Sequence, residues 1–250
     1  MKVDLGIDVG GTGIKGALVD IDTGELLSDR HRVETPQPAT PETMAEAVRQ
    51  LVSTFDYDGP VGCCFPTIVV DGHAKSVSNL DESWRGVQID DTFAAATGLP
   101  FVVINDADAA GIAEMQLGAG KGLEGLVIMI TIGTGLGSGM FYNGQLIPNS
   151  ELGHMAGKDG EPFERYASKR ARIDEELSWS EWGERFNAFL KRVDRVCSPD
   201  HLIIGGGTSK KFELFRDYIT IPVPIHVARF LNNAGIIGAA VAAAQILQKD

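Results

Sequence analysis

Along this chain the spacing of apolar residues switches repeatedly between the two-residue period of a strand and the three-to-four-residue period of a helix. The stretch from Val3 to Val9 reads as a strand, and "GALVDIDTGELL" after the glycines at 10–13 is β-branched and alternating, so it reads as further strand closed by a hairpin. In "TPETMAEAVRQLVSTF" the period changes. Thr40 takes the N-cap and Pro41 the first helical position, with Met44, Val48, Leu51, Val52 and Phe55 on one face. "VGCCF", "FVVIN", "LVIMITI" and "HLII" are short continuous apolar runs, the pattern of buried strands. A long helix is predicted from Ser180 to Val196, striped by Trp182, Phe186, Phe189, Leu190 and Val193, and a C-terminal helix begins near Asn233.

Strands and helices alternating without a low-complexity stretch or long linker make the α/β signature. The chain also echoes itself: "LGIDVGGTGIKGALVDIDTGELL" returns about 120 residues later as "IMITIGTGLGSGMFYNGQLI". Each copy reads as strand, glycine-rich turn, strand, turn, strand. The second turns, "DTGE" and "YNGQ", carry hairpin chemistry because Gly and Asn tolerate positive φ. Such a duplication predicts two similar lobes.

The first glycine turn matches G-x-G-x-x-G at Gly11, Gly13 and Gly16. A dinucleotide loop needs a helix whose N-terminus receives the pyrophosphate, and the residues beyond Gly16 are strand-like instead. Nor is it a Walker loop, because Lys15 is followed by Gly16. Two readings remain: a hairpin whose backbone N–H groups cradle phosphate in nest-like conformations, or a turn that binds nothing.

Composition narrows the setting. The 250 residues carry a net charge of −12 at pH 7, which argues against a nucleic-acid surface over the whole protein. Cys63, Cys64 and Cys197 show no C-x-x-C spacing and read as reduced core residues, not as a disulfide framework. The apolar runs are too short to span a bilayer, and the sequence opens straight into a strand, so the expected address is the cytoplasm, with no membrane partner.

Four motifs in order, "DVGGTGIKGALVD", "INDADAAGIAE", "TIGTGLGSG" and "ELGH", resemble the ROK group of sugar kinases, which have the actin-like ATPase (ribonuclease H-like) fold. "SVSNLDESWRG", "NSELGHM", "SPDHLIIGGGTSKKF" and "LNNAGIIGAA" are similar to the branch of that group that uses polyphosphate to phosphorylate glucose. The resemblance implies a duplicated two-lobed fold with an interlobe cleft. The small lobe would comprise 1–104 plus 233–250, and the large lobe 105–232. It also implies a homodimer, with glucose, polyphosphate and a nucleoside triphosphate such as ATP as the molecules bound.

By the same resemblance, Gly10, Gly11, Thr12 and Gly13 cradle phosphates from one side and Gly133, Thr134 and Gly135 from the other, with Lys15 adding a charge and Asp8 helping to hold hydrated Mg²⁺. A turn-capping carboxylate is the plainer reading of Asp8. Asp106 is implied as the general base that accepts the sugar hydroxyl proton, and Asn105, Glu151, His154, Glu164, Asn79 and Pro66 as sugar-pocket residues. Helix capping is the alternative for Asp106 and the preferred reading for Asp108, while a lone His is more often structural. Position 67, a Thr where many relatives have a small residue, receives no assignment.

Many relatives follow the histidine with a cysteine-rich zinc loop. This chain has no cysteine there, so no structural zinc is expected. In its place stands "MAGKDGEPFERYASKRAR", one residue longer before Glu164 than the similar segment of the polyphosphate branch. Lys158, Arg165, Lys169, Arg170 and Arg172 concentrate positive charge here. That is either a track for a long polyanion, Lys169, Arg170 and Arg172 above all, or a solvated helix face. Gly205, Gly206 and Gly207 stand where relatives pack the nucleoside, and serve equally as a tight strand exit. The expected reaction is phosphoryl transfer to the 6-hydroxyl of glucose. The alternatives are an ATP-only hexokinase acting on glucose, mannose or an amino sugar, and a non-catalytic sugar sensor. No helix-turn-helix precedes the first strand at residue 3, which weighs against the sensor.

Overall fold

The computed structural model describes residues 2–77, 81–157 and 160–247, so Asn79 and Lys158 lie outside the described residues. The stretch from Val3 forms β1 (Val3–Gly10), antiparallel to β2 (Gly13–Asp20), with Gly10 opposite Gly13 and Gly11–Thr12 as the turn. β3 (Glu25–Leu26) and β4 (His31–Val33) both pair with β2. Then come α1 (Pro41–Val52), β5 (Val61–Phe65), a small hairpin of β6 (Val69–Val70) and β7 (His73–Ala74), α2 (Ile89–Thr97), β8 (Phe101–Asn105) and α3 (Asp106–Leu117). The Thr40 side chain accepts the Thr43 N–H, with Pro41 next, as the capping signals predict. The helix stops at Val52, so Phe55 reaches the core from beyond its end.

The second half runs β9 (Leu126–Ile132), β10 (Leu136–Tyr142), β11 (Gln145–Ile147), α4 (Phe163–Ala167), α5 (Lys169–Asp174), α6 (Trp179–Cys197), β12 (His201–Gly205) and β13 (Ile225–Val227), before α7 (Ala234–Leu247). Asn143 and Gly144 turn β10 into β11 with φ of 47° and 78°, the mirror-image hairpin conformation that suits these residues. Ser178 caps α6 and forms a reciprocal capping box with Glu181.

By its contacts the chain divides into Met1–Ala113 with Asn233–Asp250, and Glu114–Asn232. The first crossing thus falls inside α3, after Ala113 instead of after Ile104, because the first turns of that helix pack with β8 and α7. In the first unit the sheet order is β3-β2-β1-β5-β8; in the second it is β11-β10-β9-β12-β13. Both begin with two antiparallel pairings and continue with two parallel ones, so the internal echo is a duplicated topology.

Strand alternation sorts the first sheet into two faces. Leu5, Ile7 and Val9 enter a core with Met44, Val48, Leu51, Trp84 and Phe93 from α1 and its surroundings. Gly6, Asp8 and Cys64 take the opposite face, beneath α7. A side chain on Gly6 or Gly62 would run into the α7 backbone at Ile236 or Ala239, so the helix lies directly on the strands. In the second unit Trp182, Phe186, Phe189, Leu190 and Val193 of α6 cover Ile128, Ile130, Leu202 and Ile204, each fully buried apolar side chain stabilising by about 1.5–3 kcal/mol. Cys63 and Cys64 are core residues, but Cys197, at the end of α6, is only half-buried. No described helix is long and apolar enough to cross a membrane.

Candidate active site

The β1–β2 register sets Asp8 opposite Lys15, two residues from the glycine turn. The Lys15 ammonium lies 3.6 Å from one Asp8 carboxylate oxygen, and the Cys64 thiol donates to the other at 3.4 Å. Burial and the neighbouring Asp8 carboxylate push the Cys64 thiol well above its ordinary range, so it stays protonated and able to donate. The turn differs from the nest-like expectation. Gly10, Gly11 and Gly13 are not left-handed; their missing side chains matter instead. A Cβ on Gly11 would point into open space, whereas one on Gly13 would strike the Arg32 guanidinium.

At the carboxyl end of β8, Asn105 and Asp106 divide the work differently from expectation. Asn105 is the helix cap: its Oδ1 accepts the N–H groups of Ala107 and Asp108 at 2.9 and 3.1 Å, and its Nδ2 donates to the Thr67 carbonyl at 3.0 Å. Asn105 thus takes the cap position, and Asp106 shares the Ala107 N–H with it. Asp106 is exposed, its Oδ1 accepting the Ala107 N–H at 2.8 Å, at a helix N-terminus that favours negative charge. Thr67 is buried and its hydroxyl bonds Ser76, so the loop that starts at Pro66 is tied to β8 through Asn105.

The second unit brings Glu151, His154 and Glu164 together. His154 lies between the two carboxylates, Nδ1 3.8 Å from Glu151 and Nε2 3.4 Å from Glu164. Ser138 of β10 fixes the approach: it bonds Ser150 in both directions and accepts the Leu152 N–H at 2.9 Å. Gly153 is required because any side chain there would meet the Leu136 carbonyl. Burial raises the Glu151 carboxyl above its ordinary range, partly offset by His154. Glu164 also reaches the second glycine turn, accepting the Leu136 N–H at 3.4 Å and filling the space a side chain on Gly135 would need.

That turn is held from the other side as well. The Lys169 N–H donates to the Gly133 carbonyl at 3.2 Å, and Trp182 donates its indole N–H to the carbonyls of Ala167 and Ser168. A side chain on Gly133 would meet nothing within 4 Å. The basic segment is less free than its composition suggests. Arg165 pairs with Glu161 and Arg170 with Asp174, both exposed pairs, while Arg172 donates to the Leu177 carbonyl at 2.8 Å and lies 4.1 Å over the Trp179 ring. Arg172 is thus part of the packing, and Lys169, whose side chain is exposed, bonds the turn through its backbone N–H. Among the strand-exit glycines, Gly206 has φ 75° and no room for a side chain beside the Ile132 backbone, so the tight-exit reading accounts for it unaided; Gly207 is open.

Two positions escaped the sequence. Cys64 reaches Asp8 through the parallel register of β1 and β5, and Arg32 reaches the first turn through the pairing of β2 with β4. Neither leaves a local signal, because both contacts are set by strand pairing.

Comparison with known proteins gives concordant matches. The model of the ROK family matches residues 4–171. A polyphosphate glucokinase of Mycobacterium tuberculosis is 43% identical over 240 residues, 95% of this chain and 89% of that protein. The inorganic polyphosphate/ATP-glucomannokinase of Arthrobacter sp. strain KM superposes with a TM-score of 0.94 at 44% identity, covering 98% of this chain and all of that one. A ROK family glucokinase from Streptomyces griseus, solved with glucose and AMPPNP, gives 0.83 at 27% identity, covering 98% of this chain and all of that one.

Proposed function

The chain belongs to the ROK family, and from that premise we propose that it transfers a phosphoryl group from inorganic polyphosphate, or from ATP, to the 6-hydroxyl of glucose. One observation carries this reading. A trio of directed hydrogen-bonding side chains, Glu151, His154 and Glu164, abuts a glycine turn whose backbone suits phosphate, and Glu164 touches both. Hydroxyl recognition beside anion recognition is what phosphoryl transfer to a sugar needs.

In this reading Asp106 takes the proton from the 6-hydroxyl, the sugar oxygen bonds to the terminal phosphorus, and the donor's bridging P–O bond breaks to release a shortened polyphosphate or ADP. Asn105 and Thr67 fix the helix end that carries Asp106. The reading assigns the proton to Asp106 and the sugar hydroxyls to the trio. It takes the duplicated units as the lobes of an actin-like kinase, cytoplasmic and homodimeric. Asn79 and Pro66 belong to the sugar loops, and Gly207 with Lys169 to the donor side.

Mg²⁺ asks for one or two carboxylates, with water and phosphate oxygens completing its shell. Among the described residues no cluster of three metal-ligating side chains exists, and Asp8 offers a single part-exposed carboxylate, a donor set that fits a hydrated ion carried in with the phosphates. Bound there, the ion would neutralise donor charge.

The test is a side-by-side measurement of glucose phosphorylation with polyphosphate and ATP for the native chain and Asp106→Asn. Polyphosphate-dependent glucose 6-phosphate formation is expected. The variant should lose about two to four orders of magnitude in kcat at unchanged Tm. A native chain inactive with both donors, or a near-normal Asp106→Asn, overturns the reading.

A further inference from the structure

Asp8, Lys15 and Arg32 stand directly opposite one another on β1, β2 and β4, so their side chains share one face of the sheet beside the first glycine turn. In that row Asp8 matches Lys15 at 3.6 Å. Arg32 has no carboxylate within ion-pair distance among the described residues, although the chain carries twelve more negative than positive charges. Its guanidinium Nη2 donates to the Thr12 carbonyl at 2.6 Å, and Gly13 leaves it room to lie against the turn. The Thr35 hydroxyl takes the Gly10 carbonyl at 2.5 Å.

These contacts change what the turn presents. Two carbonyl oxygens, the negative ends of its peptide dipoles, are covered by donors from β4 and just beyond it. The exposed residues of the turn, Gly11 and Thr12, then face solvent beside an uncompensated cation. Holding a carbonyl needs no charge, as Thr35 shows with a hydroxyl. An arginine has five N–H donors, and Thr12 takes one; the planar fork keeps the rest for two oxygens of one phosphate.

We propose that Arg32 is a ligand of the donor's phosphates, clamping the chain of phosphates against the Gly11–Thr12 turn. This rests on the kinase reading. It adds a cation beside Asp8 to Lys169 as a donor ligand.

The experiment compares the native chain with Arg32→Gln, which keeps an N–H donor but lacks charge and fork, and with Arg32→Lys. Binding of tripolyphosphate is measured by calorimetry at several salt concentrations, beside steady-state kinetics with polyphosphate, ATP and glucose. Arg32→Gln should weaken tripolyphosphate binding and raise the donor KM about 10-fold or more, with glucose KM and Tm unchanged, and flatten the salt dependence by about one ion. Arg32→Lys should recover part of the loss. Unchanged tripolyphosphate affinity in Arg32→Gln overturns the proposal, as does a fall in Tm with donor and glucose KM rising together. If the native chain phosphorylates glucose and only the Arg32 effect is missing, this inference alone fails; if it neither binds tripolyphosphate nor phosphorylates glucose, the kinase reading fails with it.

Discussion

Replacing Gly135 by alanine tests the link between the sugar trio and the second glycine turn. Gly135 is not left-handed, so alanine is compatible with the backbone, and the atom its methyl would strike is the Glu164 carboxylate, the end of a flexible side chain. The fold should survive while Glu164 swings away, losing its contacts with the Leu136 N–H and His154, each at 3.4 Å. A hydrogen bond to a charged group contributes about 1.5–3 kcal/mol, so the loss of one to the sugar reduces kcat/KM roughly 10- to 150-fold. The assay is steady-state kinetics with glucose varied at saturating polyphosphate, beside thermal unfolding. Gly133→Ala is the internal comparison, because its methyl points into open space and touches no sugar ligand. Gly135→Ala should raise the glucose KM and Gly133→Ala the donor KM. Glucose kcat/KM within twofold of native in Gly135→Ala would refute the assigned role of Glu164.

Burial raises the Glu151 carboxyl, so its proton binds more tightly in the folded state than in the unfolded chain. Stability from this group is complete below the ordinary glutamate range of about 4.5 and is lost as pH rises through the folded value. Glu151→Gln should therefore be no less stable than native at neutral pH, and the acid limb of its glucose kcat/KM profile should keep only the part set by the general base, which a pH series of rates checks. Asn105→Ala removes a helix cap and orphans the Thr67 carbonyl, costing about 2–4 kcal/mol and several degrees of Tm; Asn105→Asp, which keeps the cap, should fall between it and native. Gly206→Ala should cost more than the roughly 1–3 kcal/mol of its glycine-favouring backbone conformation (φ 75°, ψ 177°) alone, since its methyl meets the Ile132 backbone. Gly207→Ala should leave Tm in place and raise the KM for ATP but not for polyphosphate.

Much of this was legible in order and period. The duplicated strand–turn–strand echo became the same sheet order twice, and the stripe of α6 lies where its 3.6-residue spacing puts it. Glu151, His154 and Glu164 do meet, although thirteen positions separate the first from the last in the chain. What local pattern could not carry was competition for each polar group. Asn105 looked free for a ligand but lies at a helix start whose N–H groups claim its oxygen. Arg172 looked like free charge, yet a tryptophan and a carbonyl hold it; Arg32 looked like an unremarkable residue of a short edge strand until register set it beside Lys15.

The seating of α7 on bare strand backbone bears on how the chain is made. Gly6 and Gly62 leave part of one face of the first sheet bare of side chains, and the helix that covers it is translated only after the Glu114–Asn232 stretch. At about 5–20 residues per second, synthesis of the intervening Glu114–Asn232 stretch leaves that face uncovered for on the order of ten seconds. The first unit to emerge from the ribosome is thus the last to be completed. Nascent chains stalled before Ala234 should be the ones that chaperones hold.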